Sequence, residues 1–453
     1  MKVVKFGGSS LASGRQLEKV FQIVTADRER KVVVVSAPGK RNPEDIKVTD
    51  LLIECAESCL QNLDPQKKLA AVVERYASIV QELNLSDRVI EEIHDDLLTR
   101  ISSDKSNPDR FLDLLKASGE DNNAKLVAAY FQSQGIEAHY VDPKEAGLIV
   151  SDEPGNAQAL PESYERLNAL NERSGVLVFP GFFGYSVNGE VFTFSRSGSD
   201  ITGSILANAL KADLYENFTD VDAVYSVNPS IVRNPKEIKE LTYREMRELS
   251  YAGFTVLHDE ALVPAFRAGI PVNIKNTNNP SAKGTLIVNQ RDNTNGPVIG
   301  IASDKGFCSI YVSKYLMNRE IGFGRKLLGV LEDYGLSYEH TPSGIDDVSV
   351  ILRENQLDEK TMDEVINRIK TELHADEVKV AHSLALIMVV GEGMRQNVGT
   401  MARASKALAK AKVNIEMINQ GSSEVSMMFG VHEVDEKRAV QALYEEFFVP
   451  VMV

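Results

Sequence analysis

Three short segments carry residues able to handle a phosphate or a carboxylate. The first is Lys5-Phe6-Gly7-Gly8-Ser9-Ser10, which follows an apolar run and precedes a helical pattern. Adjacent glycines let a backbone approach a phosphate closely, their N–H groups donate to it, and Lys5 adds a positive charge. The spacing is neither that of a P-loop, G-x-x-x-x-G-K-[ST], nor that of a dinucleotide fingerprint, and such a turn taken alone is more often a plain turn. The second segment is Ser195-Arg196-Ser197-Gly198-Ser199-Asp200, which opens the helical stretch ITGSILANALKA. Arg196 is a planar fork for a carboxylate or phosphate, while Ser199 or Asp200 equally suits a helix N-cap. The third is Phe218-Thr219-Asp220, at the end of the run DLYENFTD. Loops at the carboxyl ends of parallel strands are where open α/β sheets bind ligands, although turn chemistry alone also accounts for Thr219 and Asp220. No His or Cys is poised as a general base, and His258 reads as structural. Cys55 and Cys59 share a helix face but have no further ligands nearby, so they read as core and no metal site is expected.

The elements that must position these segments are legible as periodicity. Residues 1–6, 31–37, 136–141 and 176–180 are short apolar runs of the kind found in buried strands, and 50–62 and 121–134 are helical by pattern. Strands alternating with helices predict an α/β fold, with an open, mostly parallel sheet and helices on both faces. Within YSVNGEVFTFS, the pair Asn188-Gly189 predicts a type I′ hairpin that delivers the chain to SRSGSD. The polar stretch QRDNTNGP ends this part, giving a first domain over 1–290 and a linker.

Beyond the linker lies an internal repeat. Residues 317–352 align without gaps to 394–429, with Met317/Met394, Gly322/Gly399, Leu331/Leu408, Glu339/Glu416, Gly344/Gly421, Val348/Val425 and Ser349/Ser426 identical. Each copy reads as a βαββα unit that needs one more strand, hence two βαββαβ modules over 298–381 and 382–453. The first finds its last strand in 378–381; the second must use the terminal VPVMV or do without.

The 453 residues carry a net charge of −15, which argues against a nucleic-acid partner. Three cysteines are too few for a disulfide framework and point to a reducing cytoplasm. The N-terminus has no signal-peptide pattern, and no stretch reaches the roughly 18 apolar residues of a membrane span.

KFGGSS at 5–10, VVVSAPGK at 33–40, SGED at 118–121, SRSGSD at 195–200, FTD at 218–220 and VLH at 256–258 resemble, in order, the motifs of aspartate kinases of the amino-acid kinase superfamily. The repeat resembles their paired ACT domains, with QGSSE at 420–424 similar to the second domain's signature. The resemblance implies ATP- and Mg2+-dependent phosphorylation of the L-aspartate side chain to 4-phospho-L-aspartate, the first step toward lysine, threonine and methionine. It implies that Lys5, Gly7, Gly8 and Ser9 hold the ATP phosphates, and that Asp200 orients Lys5 or the magnesium. Ser36, Thr49, Glu120, Arg196 and Ser199 would bind aspartate, with Glu120 facing its α-amino group. Thr219, Asp220 and Tyr225 would line the base and ribose, with Thr255 and Val256 also at the nucleotide. Many aspartate kinases have Lys where this chain has Thr255, D-P-R where it has Asn228-Pro229-Ser230, and Gly where it has Ser197. The ACT pair implies a homodimer or larger homo-oligomer. Its effector site would fall on Met317, Glu320, Phe323, Gly324, Tyr338, Glu339, Asp346 and Asp347, whose acidic residues favour lysine over the alternative, threonine. Two other readings stay open: a kinase of another amino acid such as glutamate, and a catalytically weak amino-acid sensor.

Overall fold

The computed structural model describes residues 1–195, 197–254, 259–292 and 296–449. Arg196, Thr255, Val256 and His258, and the terminal residues after Val449, lie outside the described residues. The chain forms two compact units. One comprises Met1–Val224, Glu237–Met246 and Thr255–Arg291, the other Tyr225–Lys236, Arg247–Phe254 and Asp292–Val453.

The first unit is built on an eight-stranded sheet. Its order is Glu240–Thr242, Thr285–Val288, Val272–Asn276, Leu214–Thr219, Lys2–Phe6, Arg30–Val35, Val176–Pro180 and Ala138–Tyr140. All neighbours are parallel except Val272–Asn276 against Thr285–Val288. Val3, Val4, Phe6 and Val33, Val34 and Val35 are fully buried, as expected of strands covered on both faces. Phe6 stacks on Phe218 at 4.9 Å, tying the first strand to its neighbour near their carboxyl ends. From the first strand the chain runs to Arg30–Val35 on one side and later to Leu214–Thr219 on the other. The carboxyl end of Lys2–Phe6 is therefore a switch point, the place where such sheets form a ligand crevice.

Two local expectations are corrected. The helix expected from residue 121 is Pro108–Ser133, with Pro108 in its first turn and the Asn107 side chain accepting from Arg110 N at 3.2 Å. Glu120 thus lies in a helix interior. Residues 118–124 are buried although mostly polar, so no apolar stripe announces them. The hairpin Phe183–Tyr185 and Val191–Thr193 forms, but not through a type I′ turn. Only Gly189 is left-handed (φ 79°), and its N–H donates to Ser186 O at 2.9 Å, so the turn spans 186–189.

The second unit contains one antiparallel five-stranded sheet in the order Asp347–Arg353, Gly300–Ser313, Glu377–Val390, Ser426–His432, Met417–Asn419. Its two central strands are 14 residues long and run through both modules. Residues 307–313 pair with 377–381 and 384 in the first module, and 300–305 pair with 385–390 in the second. The strand beside the second module's first strand therefore comes from before the first module. Each module has its own core, around Phe323, Leu327 and Ile369 in one and Leu408, Phe429 and Leu443 in the other. No helix among the described residues is long and apolar enough to cross a membrane.

Candidate active site

Loops from three adjacent parallel strands meet at the switch point. Gly7, Gly8 and Ser9 follow the first strand, Ser36 and residues 37–47 the second, and Thr219 and Asp220 end or follow Leu214–Thr219. Together with Thr49 and Glu120 they line a cavity of about 560 Å3. Glycine is required where two of these loops touch. A Cβ on Gly39 would stand 2.5 Å from the Gly8 carbonyl carbon, and Gly39 N donates to Gly8 O at 2.8 Å. The glycine turn is held on its other side by Gly7 N donating to Phe218 O at 3.1 Å. Ser10 and Thr277 share a hydroxyl hydrogen bond of 2.7 Å, which fastens the turn to the loop after Val272–Asn276.

Lys5 Nζ lies 2.6 Å from Asp200 Oδ1 in a buried ion pair. Asn217 Nδ2 donates to the same oxygen at 2.7 Å, so the carboxylate is fixed from the neighbouring strand. A Cβ on Gly7 would be 3.5 Å from Lys5 Nζ, which puts the pair directly under the glycine turn. Asp200 and Ser199 lie in the first turn of the helix Gly198–Ala209. The N-cap is Ser197, without a side-chain bond, so neither residue serves as the cap. Ser197 is left-handed (φ 61°), the conformation that makes glycine favourable there. Ser199 packs so tightly on Gly181 that a Cβ there would be 2.6 Å from it, and it does not line the cavity.

Glu120 is the most perturbed acid of the site. Burial pushes its carboxyl up to about 8, and hydrogen bonds from the Ala37 and Glu120 backbones with the charges of Lys5 and Lys116 offset only part of that. Its Oε2 has no partner among the described residues. Behind it, Tyr76 donates to Gly119 O at 2.7 Å, and Gly119 meets Ala37 so closely that a Cβ would be 2.9 Å from the alanine's. A buried acid with an open oxygen at a cavity wall is suited to an incoming cation.

Of the expected residues, Gly7, Gly8, Ser9, Ser36, Thr49, Glu120, Thr219 and Asp220 share this cavity, with Lys5 and Asp200 beneath it. Tyr225 falls in the second unit, outside the group that the first unit gathers. Seven contributors had no assigned role: Ala37, Pro38, Gly39, Lys40, Asn42, Pro43 and Lys47. Their signal was the run PGK directly after a parallel strand.

The first module of the second unit contains a cavity of about 350 Å3 lined by Met317, Glu320, Phe323 and Gly324, together with Asn318, Thr341 and Ser343. Tyr338, Glu339, Asp346 and Asp347 do not line it. Glu339 accepts from Tyr251 OH, Asp346 accepts from Leu316 N at 2.8 Å, and Asp347 packs beneath Gly344. The acidity expected of the site is also cancelled locally. Lys314 and Lys326 both donate to Glu320, the latter at 2.7 Å, holding its carboxyl down at about 2.

Comparison with known proteins places this geometry. Residues 1–276 match the amino acid kinase family, and 387–447 match an ACT domain. Over all 453 residues the chain is 71% identical to aspartokinase 3 of Bacillus subtilis (strain 168), covering the full length of both. The chain belongs to the aspartokinases. Its fold agrees: the crystal structure of aspartate kinase from Clostridium acetobutylicum superimposes with a TM-score of 0.87 at 40% identity, covering 99% of this chain and 100% of that one. Aspartokinase III of E. coli in complex with aspartate and ADP gives 0.78 at 26% identity, covering 99% and 100%. The same E. coli protein in complex with lysine and aspartate gives 0.75 at 26%, covering 99% of each chain. As an aspartokinase, the chain is an enzyme that phosphorylates aspartate.

Proposed function

We propose that the cavity at the switch point binds L-aspartate and ATP side by side, and that the enzyme forms 4-phospho-L-aspartate and ADP. The observation that carries this reading is the convergence of the glycine turn with the open oxygen of Glu120 in one cavity. Glu120 would receive the α-ammonium of aspartate, with Ser36 and Thr49 on its carboxylates. Gly7, Gly8 and Ser9 would donate backbone N–H groups to the phosphates, with Lys5 held by Asp200, and Thr219 and Asp220 would take the base and ribose. The cradle fits: at Gly8 a Cβ would stand 3.0 Å from Ala37 O, so only bare backbone leaves room there.

A side-chain carboxylate oxygen of aspartate attacks the terminal phosphorus. An O–P bond forms, the bridging P–O bond breaks, and its electron pair leaves on ADP. The acceptor has a pKa of about 3.9 and arrives deprotonated, so no general base is needed. Catalysis then rests on positioning and charge stabilisation. Magnesium bound to the nucleotide would neutralise part of the phosphate charge. An ion held mostly by phosphate and water needs few protein ligands, and the carboxylates at hand are Asp220 in the cavity wall and Asp200 beneath it.

The test is ATP-dependent acyl-hydroxamate formation with aspartate, with glutamate and without acceptor. Signal with aspartate alone supports the reading. Signal with glutamate points to a different amino-acid kinase, and none points to a sensor without turnover.

The paired modules are read as the regulatory part, acting through an amino-acid effector in a homodimer. Lysine is the first choice and threonine the alternative. Support comes from the lysine complex of the E. coli relative and from the cavity at Met317, Glu320 and Phe323. The exposed apolar side chains of Tyr315, Ile321 and Ile345 support pairing of two copies. Millimolar lysine should lower activity and raise thermal stability; no change in either would remove the assignment. Three buried free cysteines suit a cytoplasmic setting, at the first step toward lysine, threonine and methionine.

A further inference from the structure

Lys5 is the cation expected at the phosphates, yet its charge is already matched by Asp200 at 2.6 Å. A close pair of opposite charges presents little net charge to a third group. Phosphoryl transfer between two anions needs more than that, because negative charge is spread over the transferring group while the acceptor is itself a carboxylate. The chain's net charge of −15 gives no general help. Two lysines line the cavity without a carboxylate partner among the described residues, Lys40 and Lys47. Among the described residues the Nζ of Lys40 reaches only the Pro43 carbonyl, at 3.4 Å.

Lys40 is placed by the residue before it. Gly39 sits against the peptide joining Gly8 and Ser9, so close that a Cβ would be 2.7 Å from Ser9 N. The Lys40 side chain therefore starts beside the turn whose N–H groups suit a phosphate. The loop that carries it has no regular structure, but it is not free. Arg75, buried in the helix Gln66–Glu82, donates through Nη2 to Gly39 O and through Nη1 to Ile46 O, each at 2.7 Å. The same guanidinium lies 3.0 Å from Asp45 Oδ2, and Asp45 in turn accepts from Arg41 N and Nε at 2.9 Å. One buried arginine thus clamps both ends of the loop to a packed helix.

We propose that Lys40 contacts the terminal phosphate of ATP during transfer, and that Arg75 is a positioning residue acting through Gly39. This rests on the reading of the cavity as the catalytic site. Removing one preorganised charge donor from a phosphoryl-transfer site costs about tenfold or more in rate. The full-length enzyme is assayed by hydroxamate formation and by ADP release as wild type, Lys40→Met, Lys40→Arg, Arg75→Lys, and Arg75→Lys combined with Lys40→Met. A wild type inactive on aspartate overturns the reading of the cavity itself. With an active wild type, Lys40→Met should lower kcat/KM for ATP about tenfold or more, leave KM for aspartate within about twofold, and be largely rescued by Lys40→Arg. Values within twofold of wild type, a loss confined to KM for aspartate, or no rescue by arginine each overturn the assignment of Lys40. Arg75→Lys should cost much less in the Lys40→Met background than in wild type, because both act through one contact. Equal cost in both backgrounds overturns the positioning role.

Discussion

Aspartate binding should expel a proton from Glu120. In the free enzyme burial holds this carboxyl at about 8, so at pH 7 it is about nine-tenths protonated. The α-ammonium of aspartate, brought against the open Oε2, favours the ionised form and pulls the value down. Binding should then release about 0.9 proton at pH 7, about 0.5 at pH 8 and about 0.1 at pH 9. The corresponding affinity should rise by close to tenfold per pH unit below 8 and level off above it. Titration calorimetry in phosphate and in Tris, whose ionisation enthalpies differ, reads the proton count directly. Glu120→Gln should abolish the release and weaken binding by about 2 kcal/mol, the worth of a charged hydrogen bond. Release below about 0.2 proton at pH 7, or release that survives in Glu120→Gln, would refute the pairing of this residue with the ammonium.

The same residue predicts a pH dependence of stability without ligand. Its folded value lies above the ordinary 4.5, so its stabilising contribution is present below pH 4.5 and is lost as pH rises toward 8, by about 1.4 kcal/mol per unit; urea melts of Glu120→Gln should lack that slope. Lys5→Met should strand Asp200 as a buried charge and cost about 3 kcal/mol of stability as well as activity. Adding Asp200→Asn should restore the urea midpoint but not turnover. Ser197→Gly relieves a left-handed non-glycine residue and should stabilise by about 1 kcal/mol in thermal melts. Gly39→Ala forces a Cβ to 2.5 Å from the Gly8 backbone, so steady-state assays should show activity lost through displacement of the phosphate turn, with substitution at the open Gly329 as the silent control.

Much of the site was legible because strand ends in a parallel sheet are predictable from apolar runs. Once 1–6 is a buried parallel strand, Gly7 must emerge at its carboxyl edge; Ser36, inside the expected run 31–37, came from the family resemblance, and the strand in fact ends at Val35. The polar interior of Pro108–Ser133 was not legible, since residues such as Asp121, Asn122 and Asn123 are buried by tertiary packing that no periodicity encodes. Arg75 was invisible for a similar reason: its work is done on carbonyls 29 and 36 residues away. The Glu320 charge misled in the opposite direction. Counting acids along the first module suggested an anionic pocket, and only the fold brings Lys314 and Lys326 onto that carboxylate.

The long shared strands bear on how the regulatory tail is synthesised. Residues 300–305 leave the ribosome well before residues 385–390, the strand partner they need in the second module. At translation rates of roughly 5–20 residues per second, that interval is about 4–17 s. Through it Ile301 and Ala302, buried in the finished protein, wait without that partner, and the first module's own last strand, 377–381, is made only at its end. The second module is thus begun first and finished last, with the first nested inside it. Ribosome-bound chains whose emerged part ends before residue 377 should hold residues 300–305 without their partner strand.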